Sequence, residues 1–156
     1  MICTVLLGMH GLLEVMMLAC RVVREILIGT GIVTSDSSSD WCCVLMCMPD
    51  GVGTRDNMFA VVEVEGAIEG RYISTSEVIT HPHIRVQCRS VSYDMGYSKM
   101  LQIEDVLDMI TSYEIIIDDN SVLLHKTSRQ TGILSSGLDA TNRRYHFTLD
   151  YEIVLR

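Results

Sequence analysis

The C-terminal segment RYHFTLDYEIVLR constrains the fold more than any other stretch of the chain. Tyr145, Phe147, Leu149, Tyr151, Ile153 and Leu155 occupy every second position without a break. That period of two belongs to a β-strand with one buried face. A slip of one residue in its pairing would turn all six large side chains to the wrong face, so the register is strongly specified. The pattern predicts a strand over 144–155 at the centre of its sheet, and everything else must pack around it.

Two helices are predicted to do so. The first spans about 11–28, where Leu12, Val15, Met16, Ala19, Val22, Val23 and Ile26 recur at helical spacing. Leu13, Met17 and Leu27 lie off that stripe and are also apolar, which suits a second, subunit-facing side. Glu14, Arg21, Arg24 and Glu25 interrupt the apolar run, so no membrane-spanning helix and no signal peptide is expected. The second helix spans about 93–110, with Tyr93, Tyr97, Met100, Ile103, Leu107 and Ile110 on one face.

Between and after the helices the chain reads as strands. WCCVLMCM and MFAVVEVEG predict two strands, and AIEGRYISTSEVITHPH fits either an extended arm or an edge strand with a loop. HIRVQCRSVS predicts a strand with Ile84, Val86 and Cys88 on one face and Arg85, Gln87 and Arg89 on the other. YEIII and VLLHKTS predict a hairpin around a polar turn at Asp118 to Ser121, and RQTGILSSGLDATNR predicts a loop. The fold class expected is α+β: one domain over 1–156, a largely antiparallel or mixed sheet, and two helices packed on one face.

Composition narrows the function. The chain has 156 residues, 48% of them hydrophobic, enough for a buried core. Its net charge of −8 opposes binding through DNA phosphates. The six cysteines include no C-x2-C pair, and a role as small buried hydrophobes is expected. His81 and His83 flank Pro82 and would point the same way on a strand, but a metal needs a third ligand that the sequence does not supply. Pro82 then simply opens a strand. Glu63 and Glu65 share a strand face with no partner acid or base in view. The glycine-rich GVGTRD and GTGIV match no phosphate loop or dinucleotide fingerprint. No catalytic residue, cofactor or metal is expected.

The order of elements, helix, two strands, an x-Pro strand, helix, short strands and a long last strand, resembles the tail terminator proteins of long-tailed bacteriophages. Pro82-His83-Ile84-Arg85-Val86-Gln87-Cys88-Arg89 is similar to a family strand of form P-x-I-x-V-x-x-R. Tyr93 and Tyr97 open the following helix as in that family. Gly137-Leu138-Asp139, then Arg143 or Arg144, then Phe147 lead into the last strand. Trp41 and Pro49-Asp50 flank the first strand in the same manner, so the likeness runs from about Trp41 to the end. It departs in the cysteine- and methionine-rich first helix and first strand.

The resemblance implies a structural virion protein at the neck, assembled in the host cytoplasm. It implies a homo-hexameric ring that caps the head-proximal end of the tail tube, stops tube growth and offers a docking face to the head connector. Genomic DNA would pass its lumen unbound, and no membrane is involved. The candidate interface residues are Leu13, Met17 and Leu27 on the first helix, Ile133, Leu134 and Leu138 in the loop, and Arg143 and Arg144 beside it, poised to pair with acids of the next subunit. Two other readings stay open: another neck or tail-tube component, and a small cysteine- or metal-dependent enzyme.

Overall fold

The computed structural model describes residues 18–49, 54–71, 78–139 and 141–155, with 65–71 and 78–80 in backbone only. Helix α1 covers 18–29. Strands β1 (Cys42–Leu45), β2 (Met58–Arg71) and β3 (Val78–Ser90) follow, then helix α2 (Tyr93–Asp108). Strands β4 (Tyr113–Ile117), β5 (Asn120–Arg129), β6 (Leu134–Asp139) and β7 (Arg144–Leu155) complete the order.

The sheet runs β1-β2-β3-β7-β5-β4, and β6 pairs with β7 beside β5. Among the described strands, β1 and β2 are the one parallel pair. β7 is central, as its alternation predicts. On one side it pairs with β3 from Tyr145 to Glu152. On the other, its first half pairs with β6 and its second half with β5.

Register explains the core. Phe59 lies opposite Cys88 and Cys88 opposite Phe147; Val61, Val86 and Leu149 form the next row. These side chains share one face and are fully or almost fully buried under the two helices. α1 contributes Ala19, Cys20, Val22, Val23, Ile26 and Leu27 to this core, and α2 contributes Met100, Ile103 and Leu107. Burying a leucine- or phenylalanine-sized side chain is worth about 1.5–3 kcal/mol, so this layer dominates the folding energy.

Polar ties fix the helices to the sheet. Ser92 caps α2, its hydroxyl accepting from the Met95 N–H. At the other end, the Thr127 hydroxyl donates to the Leu107 carbonyl, and the Tyr151 hydroxyl donates to Asp108 at 2.8 Å. Arg24 donates to the Cys43 carbonyl at 2.9 Å, anchoring α1 over β1. The β4–β5 turn uses Asp118 and Asp119 at φ of 50° and 63°, the left-handed pair a two-residue hairpin needs.

Several sequence expectations need correction. Leu27 is not on a free outer face: it is fully buried, because α1 lies flat on the sheet and buries adjacent positions 26 and 27 together. RQTGILSSGLDATNR is not wholly a loop, since Leu134–Asp139 forms β6. Its small residues carry no alternation, and its strand character comes from backbone pairing with β7. The first strand ends at Leu45 rather than running through WCCVLMCM, because Met46 turns to a φ of 74°. The stretch from Ala67 to His83 is the far part of β2 and β3, paired with each other; 72–77 lie outside the described residues.

Candidate interaction surface

Of the residues expected at an interface, Leu13 and Met17 lie outside the described residues. Leu134 and Leu138 are exposed, at 54% and 52%. Ile133 is half-buried against the core. The two leucines do not form one cluster. Leu134 sits opposite Thr148 and Leu138 opposite Tyr145, and the register shifts between Ser135 and Gly137. Residues four apart on a regular strand share a face, but the extra residue at this bulge reverses the parity. Gly137 takes a φ of 86° there. Leu138 therefore faces the helix side and Leu134 the opposite face.

The arginines also separate. Arg143 is exposed at a φ of 52°, in a turn closed by its N–H on the Asp139 carbonyl at 2.8 Å. Arg144 does not wait for a neighbouring subunit. It is 9% exposed and donates to Asp56 of its own chain at 2.6 Å. The β6–β7 turn brings it beside the loop before β2, a nearness that sequence spacing cannot reveal.

Leu138 belongs to a larger exposed patch with Tyr93 and Tyr97, which the helical spacing sets on one face with Met100, Ile103 and Leu107. Tyr93 and Tyr97 remain 43% and 37% exposed. Their rings stack at 5.9 Å. Tyr93 also sets its face or edge against Tyr145 at 5.6 Å and Phe147 at 5.2 Å. The buried helix stripe begins at Gly96, not at the tyrosines. Gly96 lets α2 approach so closely that a Cβ there would meet Phe147 at 2.6 Å. Met109, Tyr113 and Ile116 are also exposed, at the far end of α2 and on β4, the last strand of the sheet, with Tyr113 and Ile116 on opposite faces of that strand.

The face of the sheet away from the helices is polar. Arg85 makes a two-pronged ion pair with Asp150 across from it, at 2.7 and 2.9 Å. His81 and His83 share Glu152 of β7, at 2.8 and 3.5 Å, each imidazole on its own oxygen. The hydrogen bond with His81, followed by the charge of His81 and His83, holds the Glu152 carboxyl below its usual range. The third group that the sequence lacked is thus a hydrogen-bonding partner. Among the described residues, no group of three or more His, Cys, Asp or Glu side chains could hold a metal ion.

Among the described residues, Cys20, Cys42, Cys43, Cys47 and Cys88 are all free thiols. Burial pushes Cys20 and Cys43 up to about 12 and raises Cys42 and Cys88 as well, which keeps them protonated and unreactive. Cys47 is exposed. It lines a shallow cavity of about 280 Å³ with Met46, Met48, Val62, Gln87, Arg89 and His146. Arg89 is 2% exposed and donates to the Pro49 and Arg55 carbonyls, pinning that loop to the sheet. Glu63 faces the helix side, where burial raises its carboxyl, and the side chain of Glu65 lies outside the described residues. No described helix is long and apolar enough to cross a membrane.

No family model and no curated protein matches this chain. Among solved structures, a chain of the virion of a native gene transfer agent particle is similar over 72% of this chain and 77% of its own. Identity is 9% and the TM-score 0.46, a likeness too loose to carry a shared fold or role.

Proposed function

We propose that this chain is a structural virion protein of a long-tailed phage or phage-like particle, acting as a tail terminator. In this reading, copies of the chain form a ring, sixfold by resemblance, on the head-proximal end of the tail tube. The ring stops tube polymerisation and offers a docking face to the head connector. The observation that carries the reading is the order of elements ending in a long central strand, with the Pro82–Arg89 strand, the Tyr93–Tyr97 helix start and the Gly137-Leu138-Asp139 entry at the positions of the resemblance.

The surface is consistent with assembly. A ring needs a heterologous interface, which closes when the rotation between copies divides a full turn. The net charge of −8 suits a passage that must not retain DNA. Of the interface residues inferred from sequence, Leu134 and Arg143 are described and exposed, while Leu13 and Met17 lie outside the described residues.

The test is made in the particle. Deleting this protein is expected to give tails of uncontrolled length that do not join heads. Tails of normal length that still join would refute the terminator role.

A further inference from the structure

We infer that the outward side of α2, with the adjoining end of β6, is a docking surface for a segment of a different protein that presents apolar side chains between lysines or arginines. Tyr93, Tyr97 and Leu101 recur at four-residue steps and are 43%, 37% and 40% exposed. That spacing lines side chains along one side of a helix. Leu138, opposite Tyr145, carries the strip onto β6. Contiguous exposed apolar surface of this kind marks an interaction site more often than scattered single residues do.

The strip is built for contact. Buried Phe147 supports both tyrosine rings, at 5.2 and 6.2 Å, so little freedom is left to lose when a partner covers them. Rigid aromatic side chains dominate the energy of many interfaces.

The charge around the strip selects the partner. α2 carries Asp94, Glu104, Asp105 and Asp108 against Lys99 alone. No basic residue stands in its last turn, although the helix dipole favours one there. Arg129 pairs with Glu104 and Asp108. Asp94 and Asp105 are exposed at the two ends of the strip. Asp139 stands beside Leu138, and the Thr141 N–H, then the Asn142 side chain, hold its carboxyl below the usual range. The apolar strip is thus bordered by the carboxylates of Asp94, Asp105 and Asp139.

The described side chains of this chain do not offer the matching surface. Arg21, Arg24, Arg85, Arg129 and Arg144 are engaged in ion pairs within the chain. Arg89 is buried, and Lys99 is bound to the Ile32 carbonyl over the Trp41 ring. Among the described side chains, the exposed cations Arg55, Lys126 and Arg143 stand on three separate elements. Residues 1–17 contain no lysine or arginine. Neither the described side chains of a second copy nor residues 1–17 supply a cluster of cations to complement the carboxylate border.

The inference is independent of the ring reading, since it concerns one face of one chain. It is tested by amide chemical-shift mapping on the full chain with a twelve-residue leucine–lysine peptide, LKKLLKKLLKKL, and its leucine–glutamate counterpart. The expected result is shifts confined to α2 and β6 with the lysine peptide and none with the glutamate peptide. Tyr97→Ser combined with Leu138→Ser should weaken binding at least tenfold, and Asp94→Asn with Asp105→Asn should weaken it and flatten its salt dependence. The asparagine pair keeps the test decisive if the serine variant does not fold. Four results would each overturn the inference: shifts centred elsewhere, equal binding of the two peptides, self-association in sedimentation that Tyr97→Ser abolishes, or binding that appears only after residues 1–17 are removed.

Discussion

Replacing Gly96 by alanine sets two effects of known size against each other. Alanine is favoured over glycine in a helix interior by about 1 kcal/mol. Against this, the new Cβ would stand 2.6 Å from Phe147 Cε2 and 2.9 Å from Ser90 Cβ. Carbon atoms in ordinary contact are about 3.5–4.0 Å apart. Neither neighbour can retreat cheaply. Phe147 is fully buried and held between the Tyr93 and Tyr97 rings and the core. Ser90 is also fully buried, with its hydroxyl donating to Asn57 at 3.0 Å. Overpacking of this kind costs about 1–3 kcal/mol, and two simultaneous clashes place it near the top of that range. The net expectation is a loss of about 2 kcal/mol, or roughly 4–8 °C in Tm for a chain of this length. Urea unfolding should show a lower midpoint with an unchanged slope. Gly29→Ala serves as the control, because a Cβ there meets nothing within 4 Å; it should be neutral or stabilising by up to about 1 kcal/mol. A Gly96→Ala protein as stable as its parent would refute the close seating of α2 on β7.

Phe147→Ala should cost about 3–5 kcal/mol, read by calorimetry; an unchanged melting temperature would refute its place in the core. Iodoacetamide at neutral pH should label Cys47 readily, while Cys20, Cys42, Cys43 and Cys88 should react only after denaturation, as peptide mass mapping will show. Glu152 has a lowered folded-state value, so its contribution to stability is complete above the ordinary carboxylate value of about 4.3 and fades as pH falls through the lower folded one. The stability gap between the parent and Glu152→Gln should therefore shrink as pH drops from about 5 toward 3; a gap that stays constant would exclude the histidine–glutamate pairing. Elemental analysis should find no stoichiometric zinc or iron, and one equivalent lost on His83→Ala would turn that cluster into a metal site.

The interaction surface was legible only in part. Leu134 and Leu138 stand out in sequence as apolar residues among serine and glycine, and both are exposed. Tyr93 and Tyr97 were masked by their own periodicity, since they fall in phase with the buried stripe of α2. Gly96, which carries no hydrophobic signal, takes the core position between them because the helix axis comes too close to Phe147 for a larger residue. Arg144 looked free because its partner, Asp56, lies far away in sequence.

Local periodicity alone determined the central strand, the core face of β3, a helix expected over about 93–110 and found at 93–108, and the β4–β5 hairpin. Each of these is written in residues a few positions apart, and burying apolar surface rewards the same pattern in any compact fold. Tertiary structure alone decided which strands flank β7, that Leu27 is buried, and that a bulge near Gly137 sends Leu134 and Leu138 to opposite faces. It also decided that Glu152 meets His81 and His83, and that Arg144 meets Asp56. Those outcomes depend on pairing between distant segments, where a single extra residue reverses a face and an ion pair forms between groups that no spacing rule connects.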